Sequence, residues 1–217
     1  MEQLPVLYSF RRCPYAIRTR MVLFYCHIPV ELREVVLKNK PPQMMAVSPK
    51  GTVPVLLLGS GEVIDESYQI ILWALQQVKD ESLFYSKSQK QQNKIQQWIE
   101  QNDTVFKSWL DKYKYAVRFP EASESFYRQQ AEVFLIKLEN SLAQHAYIID
   151  DQLSLADIMI APFIRQFAYV NIDWFKDSQY VKLNQWLFDI LKSPIFTSVM
   201  SKYQPWKTGD EATIFPA

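Results

Sequence analysis

The sequence predicts an α/β half followed by an all-α half. Three observations carry that reading. Short segments in residues 1–80 follow the order βαβ–ββα. Three of the four glycines crowd into positions 51–61. Long amphipathic stripes replace strand signals after residue 88.

Each element has its own signal. Val6 to Phe10 is a short apolar run and reads as a buried strand. Pro14 to His27 reads as a helix, with Pro14 at a first-turn position where its missing N–H costs nothing. Val30 to Leu37 alternates and is β-rich, so it reads as a second strand. Val53 to Leu58 and Glu62 to Ile64 flank the LGSG turn as a hairpin, and Tyr68 to Val78 follows as a helix. Ile95, Trp98, Ile99, Val105, Phe106, Trp109, Leu110 and Tyr113 make one helical stripe that Asn102 interrupts, as a satisfied core amide or as a polar group in a cleft. Tyr127, Ala131, Phe134, Leu135, Leu138 and Leu142 make another. Ser154 and Asp157 have capping-box spacing, Pro162 is expected to kink the helix they start, and further helices are expected at 178–192 and 194–203. The domains expected are 1–80 and 88–217, with a polar connector between them.

Composition narrows the function. The chain is 48% hydrophobic and 22% charged, which suits a packed globular protein and excludes a disordered one. Net charge is +1, without a long run of one sign, so neither nucleic acid nor an anionic membrane is the expected partner. No apolar run reaches the roughly 18 residues of a membrane span. The N-terminus MEQLPVLYSF lacks a basic region followed by an apolar core, and a cytoplasmic protein is expected. Cys13 and Cys26 stand roughly 20 Å apart on one helix at 1.5 Å per residue, too far for a disulfide. His27 and His145 make no ligand spacing with them, so no metal site is expected.

Four pieces carry chemistry. The first is Arg11-Arg12-Cys13-Pro14-Tyr15-Ala16, joining a strand end to a helix start. A thiol there meets unpaired N–H groups and the positive end of the helix dipole, with Arg11, Arg12 and Arg18 as further positive charge; each favours the nucleophilic thiolate. Ala16 stands where the second cysteine of a Cys-x-x-Cys pair would be. The alternative is a small buried cysteine, which is the reading for Cys26. Second, Val53–Pro54 places proline at a strand start. A cis bond there would turn the Val53 backbone groups outward to pair with a peptide-like ligand, and a trans edge-strand proline is the alternative. Third, Asp65-Glu66-Ser67 opens a helix. It offers N–H groups and a hydroxyl to a carboxylate and Glu66 to an ammonium, or else simple capping. Fourth, Lys40 follows the second strand and either meets a ligand carboxylate or is solvated. Glutathione, with one thiol, two amides, two carboxylates and an ammonium, matches the set Cys13, Val53, Glu66, Ser67 and Lys40.

The segments CPYAIRTRMVL at 13–23, LKNKP at 37–41, SPKGTVPVL at 48–56 and the ES pair at 66–67 resemble the glutathione transferases, and the omega class most. The likeness runs over residues 5–78 and is weaker over 88–205, where SLADIMIAPF at 154–163 carries it. The resemblance implies a thioredoxin-like domain followed by an all-helical one, usually in a homodimer. It implies glutathione as co-substrate, bound by Lys40, Val53, Pro54, Glu66 and Ser67 beside a catalytic Cys13, with small molecules as acceptors and no metal. It also implies thiol exchange through a mixed disulfide rather than conjugation. Three departures stand out: the N-terminal extension of many omega members is absent, Lys50 replaces an aromatic residue, and the C-terminal helices match poorly. Tyr113, Tyr115, Phe119, Trp174 and Trp206 are candidates for lining a second-substrate pocket or for core. Three functions compete: a glutathione-dependent thiol transferase or dehydroascorbate-type reductase, a conjugating transferase, and a non-enzymatic regulator resembling the stringent starvation proteins.

Overall fold

The structure is a computed structural model that describes residues 3–78, 83 and 87–216. Most of the predicted 79–88 connector lies outside the described residues. The chain divides into two compact units, Met1–Asp80 with Ser193–Ala217, and Glu81–Lys192.

The first unit is a mixed five-stranded sheet of order β4-β3-β1-β2-β5. β1 (Val6–Ser9) is buried throughout. It leads through α1 (Pro14–Tyr25) to β2 (Val30–Glu34), which pairs parallel to it with Ser9 opposite Glu34. The expected second strand ran on to Leu37. It stops at Glu34 because Val36 accepts the Asn39 N–H at 2.8 Å and the chain turns. α2 (Pro42–Val47) then starts on a proline, a signal the sequence reading passed over. β3 (Val55–Leu57) and β4 (Val63–Ile64) form the expected hairpin, with β3 antiparallel to β1, and α3 (Ser67–Gln77) follows.

The pleat of β1 sorts the core. Val6 and Tyr8 pack with Met44 of α2 and with Val53 and Val55, while Leu7 points to the other face. α1 packs against α3 and, elsewhere on its surface, against the helical turn Pro194–Thr197 and the 3₁₀ turn Ser198–Met200. A helix covered this widely is buried almost all round, which is why Arg18 and Arg20 lie inside it rather than on a wet stripe.

The C-terminal segment departs from the domain division expected at 88–217. β5 (Ile214–Phe215) pairs antiparallel with β2, Val30 opposite Phe215, and the Trp206 N–H donates to the Glu34 carbonyl at 2.8 Å. A two-residue strand so far along the chain leaves no local pattern to read.

The second unit is helical. α4 (Gln89–Gln101) opens on a Ser88–Gln91 capping box. A π-helical turn, Asn102–Phe106, joins it to α5 (Lys107–Lys114), and the Lys107 N–H reaches back five residues to the Asn102 carbonyl. The extra residue shifts the phase of the stripe, so Asn102 turns fully inward and Val105 is 59% exposed. Asn102 donates to Asp103 at 2.8 Å, and its Oδ1 has no partner among the described residues. The stripe residues Phe106 and Tyr113 meet Phe134 and Phe167 with ring centroids 4.8–5.9 Å apart.

α6 (Glu124–Leu142) buries all six stripe residues named from the sequence. α7 (Leu155–Ala168) runs through Pro162. At its start the buried Asp157 carboxylate accepts from the Ile148 and Ser154 N–H groups, the Ser154 hydroxyl and the Trp186 indole N–H, at 2.7–3.0 Å. α8 (Ile172–Lys176) is capped by Asn171. The start of α9 (Val181–Lys192) is satisfied from outside: Glu139 of α6 accepts the Lys182 and Leu183 N–H groups at 3.0 and 2.8 Å.

Candidate functional site

The first unit gathers the sequence-predicted site residues around the starts of α1 and α3 and the turn before β3. Cys13 is the N-cap of α1 in extended conformation, held by its own N–H to the Phe10 carbonyl at 3.0 Å. It follows the C-terminal end of β1, the edge of an α/β sheet at which ligands are commonly bound. Its side chain is half-buried against Val53, and the Sγ donates to the Val53 carbonyl at 3.6 Å. The Val53–Pro54 peptide is cis, as the strand-start proline led us to expect. Cys26 is buried and sits at the opposite end of α1.

Ser67 is the first residue of α3 and is 3% exposed. Its Oγ accepts from Arg18 Nε at 3.1 Å and Nη2 at 2.8 Å. Those two bonds occupy both lone pairs of the hydroxyl, so what Ser67 has left to offer is a hydrogen-bond donor. The backbone N–H groups of a helix first turn point the same way in chemical terms. Arg18, expected near the thiol, therefore works one helix away: its planar fork holds the Ser67 hydroxyl in one orientation.

Glu66 occupies the N-cap position of α3, is exposed, and pairs with the Lys50 ammonium. That hydrogen bond raises Lys50 above its ordinary value. The Lys50 departure noted in the sequence thus lands directly on the residue assigned to an ammonium. Lys40 is half-buried beside Gly51, whose φ is +64°. A Cβ there would stand 3.2 Å from the Met45 Sδ and 3.4 Å from Lys40 Nζ, so glycine allows the turn and lets Lys40 lie against it. Ser48 donates to Asp65 at 3.1 Å, tying this turn to the residues before α3.

Sequence reasoning missed a second buried group. Arg20 is fully buried. Its Nη1 donates to the Ser9 hydroxyl at 2.6 Å and its Nη2 to the Arg11 carbonyl at 2.9 Å, and Nη1 stands 3.9 Å from Glu34 Oε2. Glu34 Oε1 accepts the Arg11 N–H at 2.6 Å. Burial pushes Arg20 down to about 10 and Glu34 up. A polar residue inside a helix otherwise reading as apolar was the available signal. Arg12 is exposed over the Phe10 ring, and the Arg11 guanidinium reaches the Met200 carbonyl at 3.5 Å.

The candidate lining residues divide. Trp206 belongs to the first unit, edge-on to Tyr8 and under the Arg33 guanidinium at 4.2 Å. Tyr113 is buried core of the helical unit, and Trp174 packs edge-on to Phe167 beneath Arg128. Tyr115 and Phe119 are half-buried. Among the described residues no cluster of three or more His, Cys, Asp or Glu is placed to hold a metal, and no helix is long and apolar enough to cross a membrane.

A thioredoxin-like sheet with a thiol at the start of its first helix, joined to a helical unit, is a recognisable architecture, and the comparisons identify whose it is. Residues 7–82 match the glutathione S-transferase N-terminal domain and residues 96–187 match the glutathione S-transferase C-terminal domain. The chain belongs to the glutathione S-transferase family. Among curated relatives it is 28% identical to glutathione S-transferase omega-1 of Rattus norvegicus over 199 residues, 88% of this chain and 78% of that one. It is 27% identical to elongation factor 1-gamma of Prunus avium over 204 residues, 90% of this chain but 47% of that protein. The chain thus spans about half the length of such elongation factor relatives. Solved structures with this fold include a Phanerochaete chrysosporium glutathione transferase in complex with oxidized glutathione, at TM-score 0.78 and 18% identity over 91% of this chain and 94% of that one. Another is a Pseudomonas fluorescens family member with two glutathione bound, at TM-score 0.77 and 19% identity over 92% and 93%.

Proposed function

We propose that this chain is an omega-like glutathione-dependent thiol transferase that works through a mixed disulfide on Cys13. The observation that carries the reading is the pairing of two arrangements in one unit. Cys13 stands at the N-cap position of a helix with its Sγ on the Val53 carbonyl, and Ser67 is held by Arg18 as an oriented donor. Glutathione has a use for both. Its cysteinyl amides pair with Val53 beside Pro54, its γ-glutamyl carboxylate meets the Ser67 hydroxyl and the start of α3, its ammonium meets Glu66, and its glycyl carboxylate meets Lys40. Lys50 gives up Glu66 to the ammonium when glutathione arrives.

The reaction balances without a cofactor beyond glutathione. The Cys13 thiolate attacks the glutathionyl sulfur of an acceptor's mixed disulfide. A Cys13–glutathione disulfide forms, and the acceptor thiolate leaves and takes a proton from water. A second glutathione thiolate then attacks the glutathionyl sulfur on Cys13, yielding oxidized glutathione and the Cys13 thiolate. Ala16 provides no internal thiol to replace that second glutathione, and Cys26 lies at the far end of α1. The sequence resemblance to the omega class implies this chemistry rather than conjugation. The acceptors in this reading are small molecules, taken up by a homodimer in the cytoplasm.

The test compares the parent with Cys13→Ala and Cys13→Ser for reduction of a small glutathione mixed disulfide and for conjugation of an aryl halide. We expect reduction to vanish in both variants, and oxidized glutathione to leave an adduct on Cys13 of the parent. Reduction that survives either substitution would sink the mechanism. A second reading, an interaction domain without catalysis, is favoured by the elongation factor 1-gamma relatives. It predicts neither retention on immobilised glutathione nor any Cys13 adduct.

A further inference from the structure

Arg20 is buried beneath the segment that carries Cys13, yet no step of the reaction above uses it. The other cations near the thiol are committed or wet. Arg12 is exposed over Phe10, the Arg11 guanidinium reaches toward Met200, and Arg18 holds Ser67. Arg20 has a side chain with no exposure and a bond into the segment itself, at the Arg11 carbonyl.

We propose that Arg20 is the positioning residue of the thiol. Its guanidinium, set between the ends of β1 and β2, fixes the Arg11–Cys13 segment and supplies positive potential that favours loss of the Cys13 thiol proton. Glu34 is the counter-charge that moderates it. The inference rests on Cys13 being the reacting thiol.

The geometry argues for function over stability. Burying an ion pair is costly unless contacts are close and every polar atom is satisfied. Here Arg20 and Glu34 stand 3.9 Å apart, and Arg20 Nε and Glu34 Oε2 have no hydrogen-bond partner among the described residues. An apolar pair of similar volume would commonly hold such a site as well or better. What an apolar pair would not provide is a charge out of reach of water screening, where its field is strongest. Arg20 stays ionised at neutral pH even with its value lowered to about 10, and its electrostatic neighbours are Glu34, Cys13, Tyr203 and Arg11. Arginine also suits the place, because its fork reaches two acceptors, the Ser9 hydroxyl and the Arg11 carbonyl, that a lysine would serve one at a time.

The experiment measures the rate at which iodoacetamide alkylates Cys13, read by mass spectrometry of the Cys13 peptide so that Cys26 does not interfere. The pH runs from about 5 to about 10, which covers the usual range of protein thiols. Arg20→Met should raise the midpoint of the profile by about one pH unit, the scale of losing one nearby opposite charge. Arg20→Lys should recover part of that shift. Glu34→Gln keeps an acceptor for the Arg11 N–H but removes the counter-charge, so it should lower the midpoint. Opposite signs are the signature, since mere loosening of the segment would move both variants the same way. An unchanged midpoint in Arg20→Met, or a raised one in Glu34→Gln, overturns the proposal. Should Arg20→Met fail to fold, Glu34→Gln decides alone: a lowered midpoint supports it and any other result overturns it. A parent Cys13 that alkylates at low pH yet takes no glutathione would count against the proposed reaction and leave the role of Arg20 standing.

Discussion

Replacing Ser67 with alanine should separate binding from folding in one experiment. The substitution removes the acceptor of two buried N–H groups of Arg18, at 3.1 and 2.8 Å. Leaving charged donors short of a partner in a buried site costs about 1–3 kcal/mol. For a chain of this size each kcal/mol moves Tm by about 2–4 °C, so a loss near 2 kcal/mol lowers it by roughly 4–8 °C. The same hydroxyl is the proposed donor to the γ-glutamyl carboxylate. A charge-assisted hydrogen bond of that kind is worth about 1.5–3 kcal/mol, which weakens glutathione binding by roughly 10- to 150-fold. Calorimetric titration with glutathione well below both transitions gives the affinity, and scanning calorimetry gives the stability. Ser67→Thr, which keeps the hydroxyl, should recover much of each. If Ser67→Ala lowers Tm but binds glutathione like the parent, the hydroxyl serves only Arg18 and the carboxylate is held elsewhere. If neither quantity moves, the Arg18–Ser67 arrangement itself is wrong.

Further expectations follow from the same geometry. Lys40→Ala should weaken glutathione binding about tenfold at unchanged Tm, as the loss of one charged contact to the ligand, measured by the same titration. Gly51→Ala places a Cβ 3.2 Å from Met45 at a φ of +64°; it should cost more than about 1 kcal/mol in urea unfolding and raise the Kd for glutathione as Lys40 is displaced. Asp157→Ala leaves four buried donors without their acceptor and should cost at least about 3 kcal/mol, with no change in Cys13 alkylation. For Asp150, burial alone would raise the carboxyl, but the Lys87 ammonium at 2.9 Å outweighs it and leaves the group below its usual 3.8. A depressed carboxyl contributes stability above the unfolded value and loses it as pH falls through the folded one. The Tm advantage of the parent over Asp150→Asn should therefore shrink between about pH 4 and pH 2.

What was legible depended on how local the signal was. The thiol at a strand-to-helix junction, the proline before β3 and the Asp157 capping box are written in adjacent residues, and each could be read from the chain alone. The phase slip at Asn102 could not. A helical stripe assumes a constant period, and one inserted residue turned an amide in and a valine out. The roles of the arginines were also unreadable. Periodicity marks one wet face, but α1 has almost none, so Arg18 and Arg20 two positions apart reach different partners, Ser67 and Ser9. Lys50 was noticed as a departure; its pairing with Glu66 spans sixteen residues and a hairpin, beyond what spacing can reveal.

The strand added by Ile214–Phe215 gives the folding of the first unit a timetable. The outer edge of β2 is complete in sequence at Glu34, but its partner is some 180 residues further on, from position 34 to position 214. At about 5–20 residues per second of synthesis, that edge waits roughly 10–40 s for its cover. An uncovered edge offers a row of free N–H and C=O groups to any passing strand. Chains halted before position 214 would keep that edge open, and the vulnerability to strand-to-strand association would come from Ile214 and Phe215 rather than from the thiol end.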